Sequence, residues 1–185
     1  MKKIILASAS PRRKELLTVA GVEFEILVSE ADETVPEGTL PKDAAMMTAE
    51  KKALAVAKKC ADSIVIGADT IVVLDGRILG KPKNESDAVD MLRFLSGREH
   101  EVITGVCLAD GVKTKKFAQV SKVRFYDLTD EEIAVYVATK EPMDKAGGYG
   151  IQGKGCVLVE SIEGDYFNIV GLPVAATVRA IKDFE

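Results

Sequence analysis

The chain has 185 residues, with 25 Lys+Arg against 29 Asp+Glu for a net charge of −4, and 47% of its residues are hydrophobic. This is the balance of a globular chain, with a length suited to one compact domain and no apolar run near the roughly 20 residues of a membrane span. The mildly acidic charge argues against a general binder of nucleic acid or anionic membrane, and a single histidine, His100, excludes multi-histidine zinc sites. Three widely spaced cysteines, Cys60, Cys107 and Cys156, form no CxxC, which points to a reducing, cytoplasmic location rather than a disulfide framework.

In chain order, strands and helices alternate. Lys3–Ser8 reads as a buried first strand; the Ser-Pro-Arg-Arg that follows makes it unsuitable as a signal-peptide core. Ser10 is placed to cap a helix that has Pro11 at its first position and Gly21 after its end. Phe24–Val28 alternates like a strand, and the acidic stretch Glu30–Leu40, with Pro36 and Gly38, reads as a loop. Pro41 to about Lys59 carries a helical apolar stripe through Ala44, Ala45, Met47, Thr48, Ala53, Leu54 and Ala57. Ile64–Leu74 is β-prone and ends at Asp75-Gly76, a hairpin signal. A helix follows over Ser86–Leu95. Glu101–Ala109 and Lys113–Phe125 then form a second hairpin around Asp110-Gly111. Thr129 and Glu132 make a capping box for a helix to about Thr139. Asp144–Gly155 is a glycine-rich loop, Val157–Ile162 and Tyr166–Val170 read as strands, and Pro173 opens a last helix. Hairpins interrupting a βαβ order predict an α/β fold with a mixed β-sheet and flanking helices.

Four segments carry candidate chemistry. Ser8-Ala9-Ser10-Pro11-Arg12-Arg13-Lys14 puts three cations in the first turn of a helix, where the macrodipole favours anions. Hydroxyls, open backbone N–H groups and forked guanidiniums there suit a phosphate. Gly67-Ala68-Asp69-Thr70 sets a carboxylate inside an apolar strand, where it needs a partner or a metal and could activate a water. With Glu30, Asp32 and Glu33 the chain has the oxygen ligands for a hard divalent cation such as Mg²⁺. Gly76-Arg77-Ile78-Leu79-Gly80-Lys81-Pro82 is one residue short of a P-loop and has Pro82 where the metal-binding hydroxyl belongs. Lys81 can still reach a phosphate as a point charge, whereas Lys51 and Lys52 read first as solvated helix lysines. Gly148-Tyr149-Gly150-Ile151-Gln152-Gly153 is a literal GxGxxG, but it follows a charged loop and precedes β-prone residues, so it is no dinucleotide fingerprint. It reads instead as a ligand-facing loop in which Tyr149 stacks and Gln152 reads a base edge. His100, beside Arg98 and Glu99, reads as a structural hydrogen-bonding residue.

Taken together, Ser8-x-Ser10-Pro11-Arg12-Arg13, Glu50-Lys51-Lys52-Ala53, Gly67-Ala68-Asp69-Thr70, Gly80-Lys81-Pro82, Thr104-Gly105, Gly148–Gly153 and Gly171-Leu172-Pro173 resemble the Maf family over nearly the whole chain. The resemblance implies a single domain, residues 1–185, folded as two lobes around a deep cleft and similar to inosine triphosphate pyrophosphatases. It implies a divalent-metal-dependent nucleoside triphosphate pyrophosphatase that releases a nucleoside monophosphate and diphosphate. It also implies a link to nucleotide-pool cleansing and to inhibition of septum formation. Residue by residue, Asp69 looks like the general base. Ser8, Arg12, Arg13, Lys52 and Lys81 look like phosphate ligands, and Glu33 with Asp69 like metal ligands. Arg12, Thr70 and Gln152 resemble the branch that acts on dTTP and UTP, whereas the 7-methyl-GTP branch tends to an aromatic residue, Gln and Glu at those places. The expected partner is a nucleoside triphosphate, with a homodimer the assembly to test and neither nucleic acid nor membrane. A nucleotide-sensing division inhibitor with little catalysis is the competing reading.

Overall fold

The computed structural model describes residues 2–60 and 62–184. Among these, seven strands form one mixed sheet in the order β2-β1-β3-β5-β6-β7, with β4 paired to β3. β1 (Lys3–Leu6) runs parallel to both β2 (Glu25–Ile26) and β3 (Ser63–Leu74), with Ile4 opposite Ile64 and Leu6 opposite Ile66. Parallel neighbours need crossovers. These are α1 (Pro11–Val19) between β1 and β2, and α2 (Pro41–Ala57) between β2 and β3. β4 (Arg77–Leu79) returns antiparallel on β3 through Asp75-Gly76. Both residues have positive φ, 52° and 75°, as a two-residue turn matched to the strand twist requires. β5 (Glu99–Ala109) and β6 (Thr114–Phe125) form the second predicted hairpin, and β7 (Val159–Glu163) pairs antiparallel with β6.

The chain divides into two compact units. The first is built from residues 1–70, 104–119 and 171–185, the second from 71–103 and 120–170. The first packs Ile5 and Val65 of the sheet against Ala49, Ala53 and Val56 of α2. Two glycines set the spacing of that packing. A Cβ on Gly67 would stand 2.2 Å from the Ala49 carbonyl oxygen, and one on Gly105 would stand 2.3 Å from the Ala45 carbonyl carbon. The helix backbone therefore rests directly on β3 and β5, and its alanines are what permit the approach. Cys107, within this core, has its thiol pushed up to about 12 by burial and then by Glu50, as an inert structural cysteine should.

The second unit has its own core, in which Leu92 and Leu95 of α3 (Glu85–Leu95), Ile133 and Tyr136 of α4 (Asp130–Ala138), Phe125 and Leu158 come together. Burying each Leu contributes about 1.5–3 kcal/mol. The capping box of α4 is present in full, with Glu132 N donating to Thr129 Oγ1 and Thr129 N to Glu132 Oε2. The predicted glycine-rich loop, Asp144–Gly155, contains one short 3-10 turn, Ala146–Gly148, and is flanked by two more, Glu141–Asp144 and Lys154–Leu158, the last of which delays the following strand to Val159.

Two local expectations are corrected. Tyr166–Val170 is a helix, α5, not a strand; α6 (Val174–Lys182) follows it. Asp165 Oδ1 accepts from Phe167 N at 2.8 Å, and the buried Asn168 amide donates to the Val102 carbonyl at 3.0 Å, so tertiary hydrogen bonds override the β-propensity of the run. Ser10 stands at the N-cap of α1, but its hydroxyl makes no capping hydrogen bond; its own N–H donates to Ser8 Oγ at 3.2 Å. No helix among the described residues is long and apolar enough to cross a membrane.

Candidate active site

The first unit gathers six of the predicted residues into two groups. Asp69, near the middle of β3, lies opposite Lys52 of α2, whose Nζ donates to Asp69 Oδ1 at 2.9 Å. The same Nζ is 3.0 Å from Glu33 Oε2 in the loop before α2. Lys52 and Asp69 are 12% and 19% exposed, so the pair is largely shielded, whereas Glu33 is 57% exposed and reaches in from solvent. The partly buried carboxylate thus has its partner, and that partner is placed by the glycine seat described above: Ala53, next to Lys52, is the residue held against Gly67. Lys51 turns elsewhere and donates to the Thr34 carbonyl.

The second group centres on Arg13. α1 has no acidic residue in its first turn, yet Arg13 is only 9% exposed. Its Nε donates to the Gly171 carbonyl at 2.8 Å, Nη1 to Ser8 Oγ at 3.2 Å and Nη2 to Thr70 Oγ1 at 3.0 Å. Thr70 Oγ1 is in turn 2.9 Å from Thr104 Oγ1, a fully buried hydroxyl. Burial pulls the guanidinium below its ordinary value, and Asp69 is the first influence opposing that shift. Of the five N–H donors of an arginine, three are committed to these partners. Arg12, its neighbour on α1, is half-buried. The sequence motifs contained Thr104 and Gly171 but gave them no role; the structure joins Thr104 to Thr70, and Gly171 to Arg13 and Thr70.

Lys81 and Gln152 belong to the second unit, and both are exposed. Lys81 follows β4 next to Gly80, whose carbonyl accepts from Gly147 N at 2.9 Å. Gln152 lies in the turn between the second and third 3-10 segments. Tyr149 does not stack on a ligand. It is 6% exposed, its hydroxyl pairs with His100 Nε2 at 2.7 Å, and its ring meets Phe125 edge-on at a centroid distance of 4.7 Å. The apolar second core claims the ring because three buried aromatics gain more from one another than from solvent. His100 has the structural role expected of it, and burial lowers it to about 4.

Among the described residues, no three His, Cys, Asp or Glu side chains are grouped to hold a metal by themselves. Glu33 and Asp69 nevertheless converge on one cationic atom, Lys52 Nζ. One or two carboxylates, completed by phosphate oxygens and water, are a donor set that Mg²⁺ accepts.

Fold and site together define a mixed-sheet α/β protein with a partly buried carboxylate–ammonium pair and an arginine–hydroxyl network behind its first strand–helix turn. The chain belongs to the family described as Maf-like protein, whose model matches residues 3–184. It is 57% identical over its full length to dTTP/UTP pyrophosphatases of Bacillus cytotoxicus and Bacillus mycoides, covering 97% of each, and 56% identical to one from Bacillus cereus. The Ham1 protein of Staphylococcus aureus shares the fold with a TM-score of 0.50, covering 68% of this chain and 73% of that one at 18% identity.

Proposed function

We propose that the chain is a nucleoside triphosphate pyrophosphatase that hydrolyses dTTP and UTP between the α and β phosphates, releasing the monophosphate and diphosphate. The observation that carries the reading is the 57% identity, over every residue, to proteins of that name. The geometry supports it. Asp69 is assigned as general base: Lys52 engages Oδ1 and fixes the carboxylate, and Oδ2 takes the proton of the attacking water. Ser8, Arg12, Arg13, Lys52 and Lys81 are assigned to the phosphates, where forked guanidiniums and point-charge ammoniums neutralise developing negative charge. Glu33 and Asp69 would hold a divalent cation, Mg²⁺ or Mn²⁺, which when bound supplies charge neutralisation on the phosphate oxygens.

Arg12, Thr70 and Gln152 are assigned to base selection. The amide of Gln152 donates and accepts, which matches the O4 and N3–H of uracil and thymine. The Thr70 hydroxyl is engaged by Arg13 and Thr104, so the part assigned to Thr70 in base selection is indirect, through the shape of the pocket wall rather than a free hydroxyl. The unpaired, scattered cysteines support a cytoplasmic location, and a role in nucleotide-pool cleansing follows from the reaction. A homodimer is the assembly that light scattering would check.

The test is a panel of nucleoside triphosphates with Mg²⁺, the products separated and EDTA as control. Diphosphate from dTTP and UTP, abolished by EDTA, is expected. Orthophosphate as the first product would refute α–β cleavage, and preference for 7-methyl-GTP would refute the pyrimidine assignment.

A further inference from the structure

The turn that carries Gln152 is fastened at both ends. At its start, Gly150 N donates to Tyr136 Oη at 3.1 Å. At its end, Lys154 N donates to Glu141 Oε2 at 2.9 Å and Gly155 N to Glu141 Oε1 at 3.2 Å. The two anchors are themselves linked, since Tyr136 Oη donates to Glu141 Oε1 at 3.0 Å. Beneath them Lys145, 13% exposed, donates to the Glu141 carbonyl at 2.7 Å. The glycines on either side of Ile151-Gln152 lie directly on this support. A Cβ on Gly150 would meet Lys145 Cε at 2.6 Å, and one on Gly153 would meet both Glu141 carboxylate oxygens at 2.5 Å. Desolvation pushes the Glu141 carboxyl up, but the bonds from Lys154, Gly155 and Tyr136 outweigh it and hold the group below its ordinary value, as an acceptor-only carboxylate. The GxGxxG pattern therefore seats a four-residue crest, Gly150–Gly153, on a rigid base and leaves the Gln152 side chain exposed upon it.

We infer that Tyr136 and Glu141 are positioning residues for base recognition, acting through Gln152 and resting on the pyrimidine triphosphatase reading proposed above. A primary amide is symmetric in shape but not in chemistry. In one orientation it matches the O4 and N3–H of uracil; rotated by half a turn it matches the N4–H₂ and N3 of cytosine. Gln152 can discriminate between them only if its backbone is held, so that one orientation costs a lost hydrogen bond. The linked Tyr136–Glu141 anchor supplies that constraint. Neither residue touches the base or the reacting phosphates in this assignment.

The experiment compares wild type with Tyr136→Phe and Glu141→Gln, measuring kcat and KM for UTP and CTP and the hydrogen exchange of the Gly150, Lys154 and Gly155 amides. Tyr136→Phe keeps the ring in the core, which guards against loss of fold. Glu141→Gln keeps one acceptor oxygen but turns an N–H towards a backbone N–H. Exchange at the anchored amides is expected to accelerate about tenfold or more, and the UTP-to-CTP ratio of kcat/KM to fall about tenfold. The change should lie mainly in KM for UTP, with kcat within about threefold of wild type. Faster exchange with an unchanged ratio would overturn the positioning role, and unchanged exchange would overturn the anchor itself. A wild type that does not distinguish UTP from CTP would also overturn the inference. A wild type inert towards all triphosphates would instead overturn the proposed function, and is recognised by appearing before any substitution is made.

Discussion

Replacing Gly67 with Ala adds one methyl group at the contact that fixes α2 on the sheet. That carbon would lie 2.2 Å from the Ala49 carbonyl oxygen and 2.7 Å from the Ala53 backbone nitrogen. Both are main-chain atoms, which cannot swing aside as a side chain would. Restoring ordinary contact near 3.5 Å requires α2 to lift by about 1 Å. Overpacking of a close-packed core costs about 1–3 kcal/mol, and backbone-on-carbon contact belongs at the upper end. The lower entropy of the unfolded Ala chain returns only about 0.4–1 kcal/mol. A net loss of about 2 kcal/mol in a chain of this size lowers Tm by roughly 4–8 °C. The functional effect is larger, because Lys52 moves with Ala53, and Lys52 holds Asp69 and Glu33 at 2.9 and 3.0 Å. A misplacement of about 1 Å can cost on the order of 10²-fold in rate. Thermal melts and kcat/KM for dTTP, measured on Gly67→Ala and on the analogous Gly105→Ala, check the argument. A Gly67→Ala protein that melts within 2 °C of wild type and turns over normally would show that α2 does not depend on this seat.

Asp69→Asn keeps an acceptor for Lys52 and removes the base, so kcat should fall about 10²–10⁴-fold while the melting curve is retained; near wild-type turnover would remove Asp69 from the mechanism. Because His100 is lowered from 6.5 to about 4 in the folded chain, the unfolded chain binds the extra proton between those values. Its contribution is therefore complete above pH 6.5 and is lost as pH falls towards 4, amounting to about 3 kcal/mol. Urea midpoints against pH should show that slope in wild type and a flatter one in His100→Gln; identical slopes would contradict a neutral buried imidazole. Gln152→Glu leaves an acceptor only, which suits a cationic methylated guanine, so kcat/KM for dTTP relative to 7-methyl-GTP should fall tenfold or more. An unchanged ratio would take Gln152 out of base selection.

Much of the fold was legible from local chemistry. The Asp75-Gly76 and Asp110-Gly111 turns, the Thr129–Glu132 box and Pro11 after Ser10 are signals completed within a few residues, and each marks a turn or helix start in the structure. Tyr166–Val170 misleads because its β-prone side chains are read without Asn168, whose amide is spoken for by Val102 and Ser121 far away in sequence. Tyr149 misleads for the same reason: its partners His100 and Phe125 meet it only after folding. In the site, Asp69 inside an apolar strand announced that it needed a partner, but the partner's identity depended on the register of α2. A signal for that register was present. Gly67 inside a β-prone run and Gly105 inside another mark places where a second backbone comes close. The stripe of alanines on α2 is the complementary half.

The Arg13 clamp also dictates when the site can exist. Its three bonds join residue 13 to residues 8, 70 and 171, the last across 158 positions of sequence. Closing a loop of that length costs about 4.5 kcal/mol of chain entropy, which the earlier contacts must already have offset. On the ribosome the Gly171 carbonyl emerges long after β1, α1 and α2 are available to fold. The nascent chain therefore carries an incomplete arginine network until residue 171 has been added, and a product cut short before Gly171 lacks the bond to Arg13 Nε.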